Sequence, residues 1–141
     1  MTRKTEQRLW DRMRTNAAKS GHFMRMMRVE NLVGVGMPDV LVIRNGLVTW
    51  CELKSVDAPP ARSTTRVLGA RGLSMAQRNW HYDWYMHGGY SIILVGIGAT
   101  LIYAIPGKLA AEVNDMTCTD LLRNCVASNW YALFKSFGEI T

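Results

Sequence analysis

Asp39-Val40-Leu41-Val42-Ile43-Arg44-Asn45-Gly46-Leu47-Val48-Thr49-Trp50-Cys51-Glu52-Leu53-Lys54 decides the fold of this chain. Two apolar runs flank an Asn-Gly pair, the strongest short-range signal for a tight β-hairpin, because both residues accept the positive φ of a two-residue turn. With Asn45 and Gly46 as the loop, Arg44 faces Leu47, Leu41 faces Trp50 and Asp39 faces Glu52. Side chains directly opposite in an antiparallel pair lie about 5 Å apart. Alternation with period two puts Lys54 on the same face as Glu52. Like charges set opposite each other destabilise a sheet, so two facing acids predict a divalent cation between them.

Both faces of the hairpin are apolar, with Leu41, Ile43, Val48 and Trp50 on one and Val40, Val42, Leu47, Cys51 and Leu53 on the other. A sheet buried on both faces needs helices on both, which predicts an α/β architecture. Working outward, residues 2–18 read as a helix with Leu9, Trp10, Met13 and Ala17 on its apolar stripe, ended by Ser20-Gly21. Residues 23–30 read as a strand, followed by a glycine-bearing segment over 33–38. Residues 55–72 carry two prolines and three arginines and predict a long mobile loop. A helix over 73–87 follows, with Ser74 as N-cap and Gly88-Gly89 as its stop. Residues 91–97 and 100–105 are two further strands joined through Gly98, and helical segments are expected over 106–114 and 117–127. The tail carries Trp130, Leu133, Phe134 and Phe137, an amphipathic set suited to core or dimer packing, with base stacking as the second reading.

A length of 141 residues suits one domain, and 48% hydrophobic against 20% charged residues excludes a disordered chain. No apolar run reaches the ~18 residues of a membrane span. The first ten residues, MTRKTEQRLW, contain no apolar leader, so secretion is not expected and the cytoplasm is. Cys51, Cys118 and Cys125 are odd in number and lack zinc-type spacing, which predicts reduced core thiols. A net charge of +6 suggests a polyanionic partner such as nucleic acid. Arg3, Lys4, Arg8, Arg12 and Arg14 crowd the first helix, and Arg62, Arg66 and Arg71 punctuate the long loop; a solvated face is the alternative for each group.

Hard divalent cations such as magnesium take oxygen ligands and retain several waters, so one or two carboxylates and a substrate phosphate suffice. Asp39 and Glu52 supply the carboxylates, and the carbonyl of Leu53 between Glu52 and Lys54 is a further candidate ligand. In phosphodiester hydrolysis such an ion lowers the pKa of water and neutralises phosphate charge. Lys54 is placed to orient that water or to steady the developing charge. Gly34 and Gly36 form no phosphate-binding loop, since no G-K-[ST] follows, and are read as letting the backbone approach metal or DNA.

Pro38-Asp39 followed by Glu52-Leu53-Lys54, with Gly36 two residues before the proline, resembles the PD-(D/E)XK nuclease superfamily. The wording is similar above all to its VRR-NUC branch of small phage-encoded members. These share a G-x-P-D segment, an aromatic residue shortly before E-L-K, and a glutamine on the next helix, matched here by Gln77 in Leu73-Ser74-Met75-Ala76-Gln77. Arg28-Val29-Glu30-Asn31 resembles the strand that leads to the family's metal loop. The likeness covers residues 6–89.

The resemblance implies a restriction-endonuclease-like core in one nuclease domain over residues 1–141, a mixed central β-sheet flanked by helices on both faces. It implies a magnesium-dependent DNA endonuclease, with manganese as substitute, acting as a homodimer on branched DNA such as Holliday junctions, in a phage or bacterial host cell. Asp39, Glu52, Lys54 and Gln77 would be catalytic, and Asp39, Glu52 and the Leu53 carbonyl would hold the metal. Glu6 has two readings, a metal ligand or an acid favourable to the helix dipole. Glu30 is either a second acid near the metal or a strand-edge charge. Arg62, Arg66, Arg71, Arg78 and His81 are the candidate DNA contacts, His81 as a packed or phosphate-contacting group. A sequence- or damage-directed duplex nuclease, and a non-catalytic nucleic-acid-binding module, are the competing functions.

Overall fold

The computed structural model describes residues 2–29 and 36–139, with side chains from residue 5 onward; Glu30, Asn31 and Gly34, and the side chains of Arg3 and Lys4, lie outside the described residues. Helix α1 (Thr2–Ser20) leads to strand β1 (Arg25–Arg28), then to the hairpin β2 (Val40–Arg44) and β3 (Leu47–Val56). Helix α2 (Met75–Met86) precedes β4 (Tyr90–Ile97) and β5 (Leu101–Pro106), and two short helices follow, α3 (Cys118–Asn124) and α4 (Trp130–Ser136). One five-stranded sheet runs in the order β1-β2-β3-β4-β5. Every neighbouring pair is antiparallel except β3 and β4, which are parallel across the connection that carries α2. The sheet is therefore mixed, with β3 at its centre.

The turn is the two-residue kind that the sequence predicts: Asn45 has φ 53° and Gly46 φ 76°. The register follows from it, with Arg44 paired to Leu47, Leu41 to Trp50 and Val40 to Cys51. On one face Leu9, Trp10 and Met13 of α1 and Leu133 and Phe134 of α4, with Phe137, pack on Val40, Val42, Cys51, Leu53, Ile92 and Leu94. Burying a side chain such as Phe134 contributes about 1.5–3 kcal/mol. The aromatic tail is thus core, and base stacking by Phe134 or Phe137 is excluded by their complete burial. Arg44 at the hairpin tip donates through Nη1 to the carbonyls of Phe134, Lys135 and Phe137 at 2.7, 3.0 and 2.9 Å. These include carbonyls that the end of a helix leaves without an internal partner.

On the opposite face Ile93, Val95, Ile97 and Ile105 meet Val67, Leu68, Leu73, Val113 and Leu121. The end of the segment expected as a mobile loop is therefore docked, at Val67 and Leu68, while residues 61–66 are exposed. Val67 donates its N–H to the Met116 carbonyl at 3.0 Å, and the Asn114 amide grips the main chain of Leu73 through both its N–H and its carbonyl. Two further expectations are corrected. Residues 106–114 form separate 3-10 turns at Gly107–Leu109 and Val113–Asp115 instead of one helix. The second face is covered over β4 and β5 but opens toward the hairpin, where Ile43 and Val48 stay about 40% exposed. The three cysteines are free thiols, but only Cys51 lies in the core, Cys118 and Cys125 being half-buried, and no helix among the described residues is long and apolar enough to cross a membrane.

Candidate active site

The ladder between β2 and β3 ends one residue before Asp39. The N–H of Asp39 donates to the carbonyl of Cys51 at 3.1 Å, the residue already paired with Val40. Asp39 and Glu52 are thus not a plain cross-strand pair, and the expected register is corrected at this one position. The cause lies on both sides of the gap. Leu53 turns its N–H and carbonyl toward the β2 edge, as alternate residues of an antiparallel strand do, and β2 has stopped too early to offer it a carbonyl. The Asp39 carboxylate fills the place, accepting from the Leu53 N–H through Oδ2 at 3.1 Å. Gly36 fixes the approach of this segment. Its φ is +79°, and a Cβ there would collide with the carbonyl group of Ala76 and lie 2.8 Å from the Gln77 nitrogen. Gly36 therefore lets the chain meet the start of α2.

Glu52 stands on β3 beside Ile93 of β4 and is 1% exposed. Burial first, then the nearby Asp39 carboxylate, acting both as a charge and as a hydrogen-bond partner, hold the Glu52 carboxyl well above the usual range; Lys54 opposes the shift and Glu6 adds to it. The two acids are therefore neighbours, as the sequence predicts, although the main chain brings them together by another route. Glu6 on α1 is raised by burial, lowered by Lys54, raised by Asp39 and lowered by Arg28. It senses the site, yet among the described residues no three His, Cys, Asp or Glu side chains close on one point. The donor set is two carboxylates and the Leu53 carbonyl on the same edge, which fits a hard cation that completes its shell with water and phosphate. A buried acid that keeps its proton beside a second carboxylate is an observation of this structure that favours such an ion, which would take the proton's place between them.

Helix α2 supplies the rest. Ser74 caps it, accepting from the Gln77 N–H at 3.2 Å, while the Gln77 side chain accepts from the Ser74 N–H at 2.9 Å. This reciprocal box is the local reason the helix starts here. The same Gln77 turns its amide toward Glu52, with Nε2 3.4 Å from Oε2. One turn later His81 is fully buried, so its expected contact with DNA is excluded. Its Nδ1 is 2.7 Å from Ser91 Oγ and its Nε2 is 3.9 Å from Glu52 Oε1. Burial pushes the imidazole down to about 4, with Asp39 opposing, so this contact is not an ion pair at neutral pH. Trp80 meets Trp50 edge to face at 5.9 Å and His81 at 5.4 Å.

Arg62, Arg66 and Arg71 are exposed on the segment leading to α2, and Arg78 is partly buried on that helix. Arg66 already has a partner, with Nη1 3.3 Å from Asp115. Sequence reasoning missed Ser91, the lone polar residue opening an otherwise apolar strand, and the proximity of Arg28 to Glu6. The first had a signal, because a hydroxyl inside the run Ser91–Ile97 needs a buried partner. The second had none.

The sequence matches no family model and no curated protein. Among solved structures the chain is similar to Hjc, a Holliday junction resolvase of the archaeal hyperthermophile Archaeoglobus fulgidus. The two share 10% sequence identity over 94% of this chain and 96% of that one, with a TM-score of 0.59. That likeness establishes the fold: a restriction-endonuclease-like α/β core, its mixed sheet flanked by helices.

Proposed function

We propose that this chain is a metal-dependent DNA endonuclease, a single nuclease domain over residues 1–141, that hydrolyses phosphodiester bonds in branched DNA. The observation that carries the reading is the pair Asp39 and Glu52, held together at the cost of raising Glu52, with Lys54 and Gln77 beside them. Asp39, Glu52 and the Leu53 carbonyl would hold magnesium, or manganese in its place. Such an ion, when bound, lowers the pKa of water and neutralises charge on the phosphate. Lys54 meets the phosphate with a positive charge and orients the attacking water. Gln77 holds Oε2 of Glu52, so the carboxylate presents a fixed direction to the ion. Glu6, which is close enough to sense Lys54 and Asp39, balances the lysine charge from α1. The water oxygen bonds to phosphorus as the opposite P–O bond breaks, and the departing oxygen takes a proton.

The exposed arginines Arg62, Arg66 and Arg71, with Arg78, supply the cationic surface for DNA. Branched DNA is preferred as substrate because the fold is that of a resolvase and the PD-(D/E)XK wording is nearest the VRR-NUC branch. A homodimer would offer two such sites to opposed strands, in the cytoplasm of a phage-infected or bacterial cell. The test is a cleavage panel with magnesium over four-way junction, flap, nicked and linear DNA. Preferential cutting of the junction that disappears in Asp39→Asn supports the reading. Equal cutting of linear duplex indicates a sequence- or damage-directed nuclease, and binding without any cleavage indicates a non-catalytic module.

A further inference from the structure

Helix α2 reaches the Glu52 carboxylate twice, once at each oxygen. Gln77 Nε2 stands 3.4 Å from Oε2, and one turn later His81 Nε2 stands 3.9 Å from Oε1. Residues four apart share a helix face, so one rigid element delivers both. Glu52 Oε1 and His81 Nε2 are each enclosed and lack a hydrogen bond among the described residues, and they face each other at 3.9 Å. The far side of the ring is fixed. Nδ1 lies 2.7 Å from Ser91 Oγ, and Ser91 is only 3% exposed. Gly107 backs this pair: a Cβ there would collide with Ser91 Oγ and lie 3.2 Å from His81 Nδ1.

An ionised carboxylate only accepts hydrogen bonds, whereas a serine hydroxyl both donates and accepts. With Glu52 ionised, as a cation ligand must be, and the ring neutral, one arrangement gives both ring nitrogens a partner. The Ser91 hydroxyl donates to Nδ1, the ring proton sits on Nε2, and that N–H points at Oε1. A closure of about 0.7 Å, from 3.9 Å to 3.2 Å, completes the bond.

We propose that Ser91 and His81 form a buried tether that orients Glu52, making His81 a positioning residue and not a DNA contact or a proton carrier. The proposal rests on the reading of Glu52 as a cation ligand. Partners that orient a ligand from behind typically contribute 10–100-fold to metal affinity or activity.

The experiment uses the full chain, with manganese titrated calorimetrically and junction cleavage followed in magnesium. His81→Gln retains an N–H donor and is expected to keep most of the manganese affinity. His81→Met has similar bulk without a donor and is expected to lose ~10–100-fold in affinity and in kcat, with KM for DNA unchanged. Ser91→Ala, a smaller change, is expected to lose in the same direction. Nitrogen NMR of the wild-type ring at alkaline pH gives a reading independent of metal and activity: the proton is expected on Nε2. A folded His81→Met that binds manganese as wild type does, or a ring protonated on Nδ1, overturns the tether. If wild type and Asp39→Asn both fail to bind manganese, the cation-ligand reading fails instead, and the NMR result still decides the tether.

Discussion

Leu53 and Asp39 are joined main chain to side chain, the Leu53 N–H donating to Oδ2 at 3.1 Å. One carboxylate oxygen of Asp39 thus serves the fold. Asp39→Asn keeps an acceptor for that N–H and removes the charge facing Glu52, so it is expected to be at least as stable as wild type. Asp39→Ala leaves the N–H without a partner, which costs about 1–3 kcal/mol. Both are expected to lose magnesium-dependent cleavage by more than ~100-fold, the loss of some 3 kcal/mol of transition-state stabilisation. Calorimetric unfolding and single-turnover cleavage measure the two effects, and an active Asp39→Asn would refute the assignment.

The pH dependence of the cation-free protein separates two buried groups. Glu52 holds its proton to a higher pH in the folded chain than its ordinary 4.5. Its contribution to stability is complete below 4.5 and is lost as pH rises through the raised folded value. His81 acts in the opposite sense. Its folded value of about 4 lies below the ordinary 6.5, so stability is lost as pH falls from 6.5 toward 4, on the order of 3 kcal/mol. Glu52→Gln is therefore expected to exceed wild type in Tm at pH 8, with the gain shrinking toward pH 4. A difference that does not change with pH, measured in chelator, would contradict this.

Gly36→Ala is expected to damage stability and site together. The new Cβ meets the backbone of Ala76 and Gln77, which cannot yield as a side chain tip can, and φ is +79°. The strained φ alone costs about 1–3 kcal/mol. Gly46→Ala is the control, because its φ is +76° with nothing within 4 Å of the added atom. It should lose stability but bind manganese normally. Equal manganese affinity in both variants would show that the contact with α2 does not set the position of Asp39.

Arginines on the segment before α2 should differ among themselves in DNA binding. Each phosphate contact removed lowers the slope of log affinity against log salt by about 0.9 on duplex DNA. Arg62→Ala and Arg71→Ala are each expected to do so. Arg66→Ala should have the smaller effect, since Asp115 already competes for its guanidinium at 3.3 Å. Titrations at several salt concentrations check this, and unchanged slopes for Arg62 and Arg71 would move the DNA path elsewhere.

The hairpin was readable in the sequence because Asn45-Gly46 is one of few pairs that tolerate positive φ at both positions. The start of α2 was readable too, from Ser74 and Gln77 at capping-box spacing. Asp39 was found by its chemistry, but its step out of the ladder was hidden, because it arises from where β2 stops and not from any local residue preference. The burial of His81 was equally hidden. A histidine on a helix that mixes polar and aromatic residues gives no sign of whether Ser91 or a phosphate will meet it; only the parallel pairing of β3 and β4 decides that. The docking of Val67 and Leu68 was masked by the prolines and arginines around them.

Arg44 gives the fold an order in time. The tip of the hairpin is tied to the carbonyls of Phe134, Lys135 and Phe137, and these residues are synthesised long after Asp39, Glu52 and Gln77. A chain emerging from the ribosome can form the Asn45-Gly46 turn early, yet its hairpin stays untied until α4 arrives. The frame that holds the two acids is closed last, so a nascent chain carries every proposed catalytic residue before it carries a finished site.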